Sequence, residues 1–385
     1  MSEATTNSAD PTLRDLQTVP ADAQDDDGLI SKMMDEVKER HLIFALLLMA
    51  LVEDQWDENT RDKPGGGREF VQGQNIGAIA VDPFGRVIDF DFNHNLLFNS
   101  SLEHAEARLL RRLFTLTLYD DVKRPVSAAG LSPQAVADWV RQELWLGIDQ
   151  PEAVGAFRRV DDAPAGPPPL PNDFGMQDTP STVHRDLIYT KVLPGFTIYT
   201  SLEPCAQCSG MMALGRVQRV VYLQRDPKVA AVANILYNLY NPPGADPSQL
   251  KSAPLPIQGS LFGLDYTTPA GEHLHLDYAE TLNDAFEVYR AGTAQWSASD
   301  FLTRDDTRAI FQAATGYFEQ FGSAACDPKA PDGLPLRFPD YKPPWLVASA
   351  KDSPRILTNN ECLRYATYFR WYARTHGYRG TPHGR

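Results

Sequence analysis

The chain has 385 residues, enough for two or three domains or for one domain with large insertions. Apolar residues make up 43% and charged residues 22%, the balance of a protein that buries a sizeable core, and 50 acids against 36 basic residues leave a net charge of −14. That charge argues against a long nucleic acid as default partner, and four cysteines are too few for a disulfide scaffold.

Residues 1–28 hold seven acids and one base, Arg14, without periodicity, and read as a disordered acidic tail. From Leu29 the pattern turns helical, with Ile30, Met33, Met34 and Val37 at i, i+3, i+4, i+7. The helix becomes apolar all round from Leu42 to Val52, so it is expected to be buried on most sides. That run is eleven residues, short of the ~20 a membrane span needs. It follows a charged stretch, so it does not read as a signal peptide. With its few cysteines the chain reads as a soluble, cytoplasmic protein in a reducing compartment.

Trp56 to Glu69 reads as a loop around Pro64-Gly65-Gly66-Gly67, which lacks the Lys-Ser/Thr of a phosphate-binding loop. Ile76–Val81, Asp82–Gly85 and Arg86–Phe90 read as strand, tight turn, strand. Ser100-Ser101-Leu102-Glu103 has the form of a capping box opening a helix to about Leu118. Residues 120–190 look like an insertion with one helix, Ala135–Leu146, and a stiff Pro164–Pro171 stretch that is expected to wall or lid a pocket. Then come a strand at Phe196–Ser201, a helix Cys205–Leu214 stopped by Gly215, and a strand at Arg219–Leu223. A helix ends near Tyr240 and a Pro-rich loop follows. Helices are expected at Ala279–Tyr289, Arg308–Phe321 and Asn359–Thr375.

Two motifs carry chemistry. His104-Ala105-Glu106 opens one expected helix, and Glu203-Pro204-Cys205-Ala206-Gln207-Cys208 follows a strand and opens another. Cys205 and Cys208 at i, i+3 project from one face of a first turn. Pro204 suits the first helical position, and a helix N-terminus favours the thiolate that binds metal. Two thiolates and one imidazole leave the fourth position of a tetrahedral Zn²⁺ open, as catalytic sites do.

In these two motifs the chain resembles the zinc-dependent cytidine/deoxycytidylate deaminase superfamily, over roughly Asn75 to Leu223. The resemblance implies a three-layer α/β/α core with a large insertion and a helical C-terminal extension. The corresponding division is a deaminase domain over 29–240, with the insertion at 120–190, and a mostly helical extension over 241–385. It also implies zinc held by His104, Cys205 and Cys208, and Glu106 as proton shuttle. Asn93 would hold the substrate, with the backbone of Gly77, Ala78 and Ala105 lining the pocket. The implied activity is hydrolytic release of an exocyclic amine from a free nucleobase, nucleoside or nucleotide. Leu202-Glu203-Pro204-Cys205 and Ser209–Ala213 look most like the branch of tRNA adenosine deaminases and guanine deaminases, while Gln207 departs from the apolar residue often found there. A tRNA adenosine deaminase, or a subunit of one, is therefore the alternative, and a zinc-stabilised nucleotide-binding protein without turnover is a third. This superfamily commonly assembles, so a homo-oligomer is possible in the same picture.

Outside the motifs, His41, His94, His184, His273 and His275 lack a convincing ligand set, and Cys326 and Cys362 read as ordinary partly buried thiols. Residues 354–385 carry six arginines against Glu361, with aromatics between them. That mixture would suit a phosphate- and base-gripping patch. The spacing of Tyr365, Tyr368, Phe369 and Tyr372 favours the core stripe of a docked helix.

Overall fold

In a computed structural model the chain is described over residues 34–62, 68–70, 73–96, 100–111, 113, 193, 195–228, 232–241, 255–259, 262–343 and 356–376. The acidic tail, the glycine run at 64–67, the whole 120–190 insertion and Arg355, Arg379 and Arg385 lie outside the described residues.

Helix α1 (Asp35–Asp54) is built on leucine, alanine and methionine, strong helix formers, with Asp35 and Glu36 in its first turn where the helix dipole favours acids. Every residue from Leu42 to Val52 is buried, as the absence of a polar face required. The stretch after it is more ordered than a loop. A short helix α2 (Trp56–Asn59) leads into β1 (Thr60–Asp62), which pairs antiparallel with β2 (Arg68–Phe70). Three-residue polar strands carry no apolar alternation, so periodicity could not reveal them.

The central sheet has five strands, β3 (Gly77–Val81), β4 (Val87–Phe92), β5 (Thr197–Leu202), β6 (Arg219–Gln224) and β7 (Leu255–Gln258), in the order β4-β3-β5-β6-β7. β3 runs antiparallel to β4 and β5, while β5, β6 and β7 are parallel. All residues of β3, β4 and β5 are buried, and successive side chains point to opposite faces, so both faces are covered. The fold is therefore mixed α/β in three layers. On one face lies α1, backed by α8 (Asp305–Cys326) and α9 (Asn359–His376), with α6 (Tyr278–Gly292) beside β6. On the other lie a helix over residues 105–111 (α3), α4 (Ala206–Gly215) and α5 (Val232–Tyr240). A hairpin, β8 (Leu264–Thr267) and β9 (His273–Leu276), and a single helical turn α7 (Ala298–Phe301) complete the described elements.

Strand β7 lies inside the range read as a helical extension. The boundary expected at residue 240 is thus crossed by the sheet, and the C-terminal helices share one apolar core with it. Pro256 within a four-residue strand disguised it; an edge strand tolerates proline because half its amide groups need no partner.

The polar start of α1 is clamped by later segments. Glu39 is fully buried, and its carboxylate accepts from the backbone N–H groups of Arg337 (2.7 Å) and Phe338 (2.9 Å) and from the Tyr266 hydroxyl (3.0 Å). His41 faces β5, with Nδ1 2.7 Å from the Tyr199 hydroxyl and its ring stacked on Phe262. Burial, then the nearby Arg219 and Arg40 charges, push its pKa down to about 3. Between about 3 and the ordinary 6.5 the unfolded chain binds a proton that the folded chain refuses, so stability rises with pH in that window. Urea unfolding is expected to lose up to ~1.4 kcal/mol per unit as pH falls below 6.5, and His41→Gln to flatten that slope.

Helix α9 is a docked helix. Tyr365, Phe369 and Ala373 are buried, and the Arg370 guanidinium meets Asp54 through two bonds (2.7 and 2.8 Å) and Glu319 through a third (2.8 Å). Arg374 lies 3.6 Å from the same Asp54. The phosphate-gripping alternative fails for Arg370 and Arg374, because the aspartate of α1 that sequence distance concealed already engages both.

Candidate metal centre and active site

The site forms where β5 ends and two helices begin. Cys205 is the N-cap of α4, with extended backbone (φ −70°, ψ 174°), so Pro204 precedes the cap instead of occupying the first helical turn. The helix stops at Arg216, whose left-handed backbone (φ 59°) takes the role expected of Gly215. Glu203 anchors the loop. Its backbone N–H donates to Gln224 O (2.8 Å), and its carboxylate accepts from the N–H groups of Asp226 (3.1 Å) and Val232 (3.2 Å).

On the other side, α3 starts one residue after His104, and the expected capping box does not form. Ser100 Oγ accepts from Leu102 N–H, and Glu103 pairs with Arg108 (2.7 Å) and Arg111 (3.0 Å). The cap comes from Asn93, whose Oδ1 accepts the Ala105 N–H at 2.7 Å, while His94 N–H donates to Glu103 O. A non-local cap outcompetes the local one because β4 delivers Asn93 directly beneath the helix start. Asn93→Ala is expected to cost about 0.5–2 kcal/mol in urea unfolding, the usual loss for a missing N-cap acceptor.

These two starts bring His104, Cys205 and Cys208 together. Cys205 Sγ is 3.6 Å from Cys208 Sγ, and His104 Nδ1 is 3.4 Å from the first sulfur and 3.7 Å from the second. A tetrahedral zinc with ~2.3 Å bonds to sulfur and ~2.0–2.1 Å to nitrogen requires donor separations of about 3.8 Å (S···S) and 3.6 Å (N···S). The donor set fits zinc in chemistry and in spacing. The Cys205 thiol is pulled down to about 4 by the hydrogen bond from Cys208 against the opposing effect of burial, with His104 adding to the pull. Cys208 is pushed up by that same bond, by burial and by the Glu106 charge.

Glu106 is nearly fully buried. One carboxylate oxygen accepts from the Thr200 hydroxyl (3.3 Å) and the other lies 3.6 Å from Cys208 Sγ. Burial raises its pKa. The isolated spacing of His104 and Glu106 does not place both at one centre. The turn at the helix start does, because His104 is the cap and Glu106 lies within the first turn. Ala78 pairs with Thr200 across the ladder, so its Cβ shares the face that Glu106 covers. The Ala105 N–H is spent on Asn93, so any contact from Ala105 to a ligand would use other atoms. Thr200 escaped the sequence reading, since a strand threonine carries no spacing signal, and Glu203 stood in the second motif without its loop-anchoring role.

Among the described residues a second cluster brings together exposed His275 and Glu280 and the half-buried Asp277. His275 bonds Asp265 (2.8 Å) and Asp277 caps α6 by accepting the Glu280 N–H, so ordinary structural roles account for the cluster. Cys362 is fully buried, deeper than expected.

No family model matches the chain. Short stretches match tRNA-specific adenosine deaminases. The chain is 42% identical over 40 residues to that of Agrobacterium fabrum, covering 10% of this chain and 26% of the relative. It is 50% identical over 36 residues to that of Bacillus subtilis, covering 9% and 22%. It is 35% identical over 54 residues to that of Aquifex aeolicus, covering 14% and 35%. The matches therefore span between about a fifth and a third of those relatives' length. A structure solved in studies of A-to-I editing by tRNA:A34 deaminases at the wobble position is 19% identical, covering 48% of this chain and 82% of that one, with a TM-score of 0.23. No helix among the described residues is long and apolar enough to cross a membrane.

Proposed function

We propose that the protein is a zinc-dependent hydrolytic deaminase acting on an exocyclic amine of a nucleobase. The observation that carries this reading is a buried carboxylate, Glu106, lying 3.6 Å from one of three donors that have the spacing of a tetrahedral zinc site. His104, Cys205 and Cys208 would hold the metal, which when bound supplies a nucleophilic water at neutral pH and leaves one position for it. Glu106 would act as the proton shuttle, carrying one proton of the attacking water to the ring nitrogen and the second to the departing amine, which leaves as ammonia. Its burial, which raises the pKa, suits a group that must carry a proton in mid-reaction. Thr200 holds the carboxylate in place through one oxygen and leaves the other toward the metal donors. Asn93 has Oδ1 committed to α3, so its Nδ2 is the group it can offer a substrate carbonyl. Ala78 lines the same face.

For the substrate, a free base, nucleoside or nucleotide fits an acidic chain whose Arg370 and Arg374 are engaged internally. The second reading is an adenosine in tRNA, favoured by the names of the three matched relatives. Ammonia release by the zinc-loaded protein separates them. The panel holds cytosine, adenine and guanine as bases, nucleosides and nucleotides, with bulk tRNA alongside. Turnover of one small molecule is the expected result, turnover of tRNA alone supports the second reading, and zinc without turnover of anything would leave a binding protein.

A further inference from the structure

A cavity with polar and apolar walls lies on the face of the sheet opposite the metal cluster and at the opposite end. It is lined by Arg40, His41 and Tyr199 on the inside and by Gln218, Arg219 and Tyr341 at its mouth, and measures about 60 Å³. It opens where β5 and β6 begin, whereas Glu203 and Cys205 follow the end of β5; six strand residues separate the two by roughly 16 Å.

Its lining holds two arginines, Arg40 and Arg219, against one carboxylate, Asp82, with Glu36 near enough for its charge to act on Tyr341. Arg40 is nine-tenths buried, and its guanidinium reaches only neutral acceptors: Leu357 O (2.9 Å), Asn359 Oδ1 (3.4 Å) and Phe84 O (3.4 Å). Arg219 is half-buried and touches only Gln218 Oε1, at 3.4 Å. Among the described residues neither has a carboxylate within ion-pair distance. Asp82 lines the same space, but its Oδ1 accepts from Phe84 and Arg86 N–H and its Oδ2 from Arg86 Nε. The buried Tyr341 hydroxyl has no hydrogen-bond partner among the described residues. Burial keeps His41 neutral at physiological pH, so it neither adds to nor offsets the charge.

A buried guanidinium such as that of Arg40, without a counter-charge in contact, is costly, and the half-buried Arg219 adds a second positive charge beside it. Guanidinium groups beside a small space are a usual means of gripping an oxyanion. Arg40, with Nη1 donating to Leu357 O and Asn359 Oδ1 and one Nη2 hydrogen to Phe84 O, keeps Nε and its other Nη2 hydrogen for it. One water needs roughly 10–15 Å³ of such space, so about 60 Å³ accommodates four oxygen-sized positions. We infer that this cavity is a binding site for a tetrahedral oxyanion of the phosphate type, free or as the head of a small organic phosphate, with Arg40, Arg219 and the Tyr341 hydroxyl as its donors. The inference is independent of the deaminase reading, since none of these residues belongs to the metal cluster.

The test is calorimetric and thermal titration of the full-length protein with inorganic phosphate and with glycerol 3-phosphate, in chloride buffer of constant ionic strength. Saturable binding with a raised Tm is expected for phosphate, weakened at least tenfold in Arg219→Ala and several-fold in Tyr341→Phe, with metal content unchanged. Tighter binding of glycerol 3-phosphate would identify an organic phosphate, and equal binding the free ion. Tyr341→Phe removes one oxygen only and keeps the test decisive if Arg219→Ala fails to fold. Absence of saturable binding to the wild type, or equal affinity in wild type and both variants, would overturn the site.

Discussion

Glu106→Gln is expected to lower the rate of ammonia release about 10²–10⁴-fold while metal content and unfolding midpoint stay near wild type, since that is the range general acid–base groups contribute. Glutamine has the same shape and still offers an oxygen to Thr200 Oγ1, which now stands 3.3 Å from the carboxylate. It cannot accept and return a proton. The loss should therefore fall on kcat, with KM little changed, because the carboxylate acts on the proton rather than on substrate affinity. Steady-state kinetics with zinc measured on the same samples check this. A loss below tenfold would remove Glu106 from the proton path.

Arg370→Ala is expected to destabilise the fold by about 3–5 kcal/mol, the cost of stranding one member of a buried ion pair. The side chains of Arg370 and Asp54 are each only 7% exposed, and the aspartate would keep only Arg374, at 3.6 Å. The two residues are 316 positions apart, so the pair fastens the C-terminal helix to the first one. Replacing both partners, as Arg370→Leu with Asp54→Leu, should recover part of the loss, because neither member of the buried pair is then stranded, while Glu319 and Arg374 each lose one contact. Urea unfolding of the two variants beside the wild type measures it. A single variant as stable as wild type would mean that the pair contributes nothing and that the arginine is free for another role.

What could be read in the sequence follows from the range of each interaction. The buried face of α1, the turn at Asp82–Gly85 and the pairing of β3 with β4 were visible because each is encoded within a dozen residues. Gly85 is the one such turn position with backbone in the positive-φ region (97°), where an added Cβ would also strike Arg40 and Cys362. The metal donors were legible as two motifs, each local, although 101 positions separate His104 from Cys205. The devices that hold those motifs were not. Asn93 capping α3, Thr200 reaching Glu106, and Glu203 binding two loop amides are meetings of distant segments, and the first replaces the capping box expected at Ser100–Glu103. The same holds for β7, where a short strand containing a proline gives no alternation. The Arg40 and Arg219 cavity arises where β6, α1 and the segment around Tyr341 converge, which no spacing rule anticipates.

Zinc stoichiometry of the purified chain, by elemental analysis, addresses the metal centre on which the catalytic reading depends. One zinc per chain is expected in the wild type and close to none in Cys208→Ser, with the far-ultraviolet spectra of the two unchanged. A wild-type chain without zinc whose Cys205 and Cys208 both react with thiol reagents, or a Cys208→Ser chain that keeps its full zinc, would contradict it.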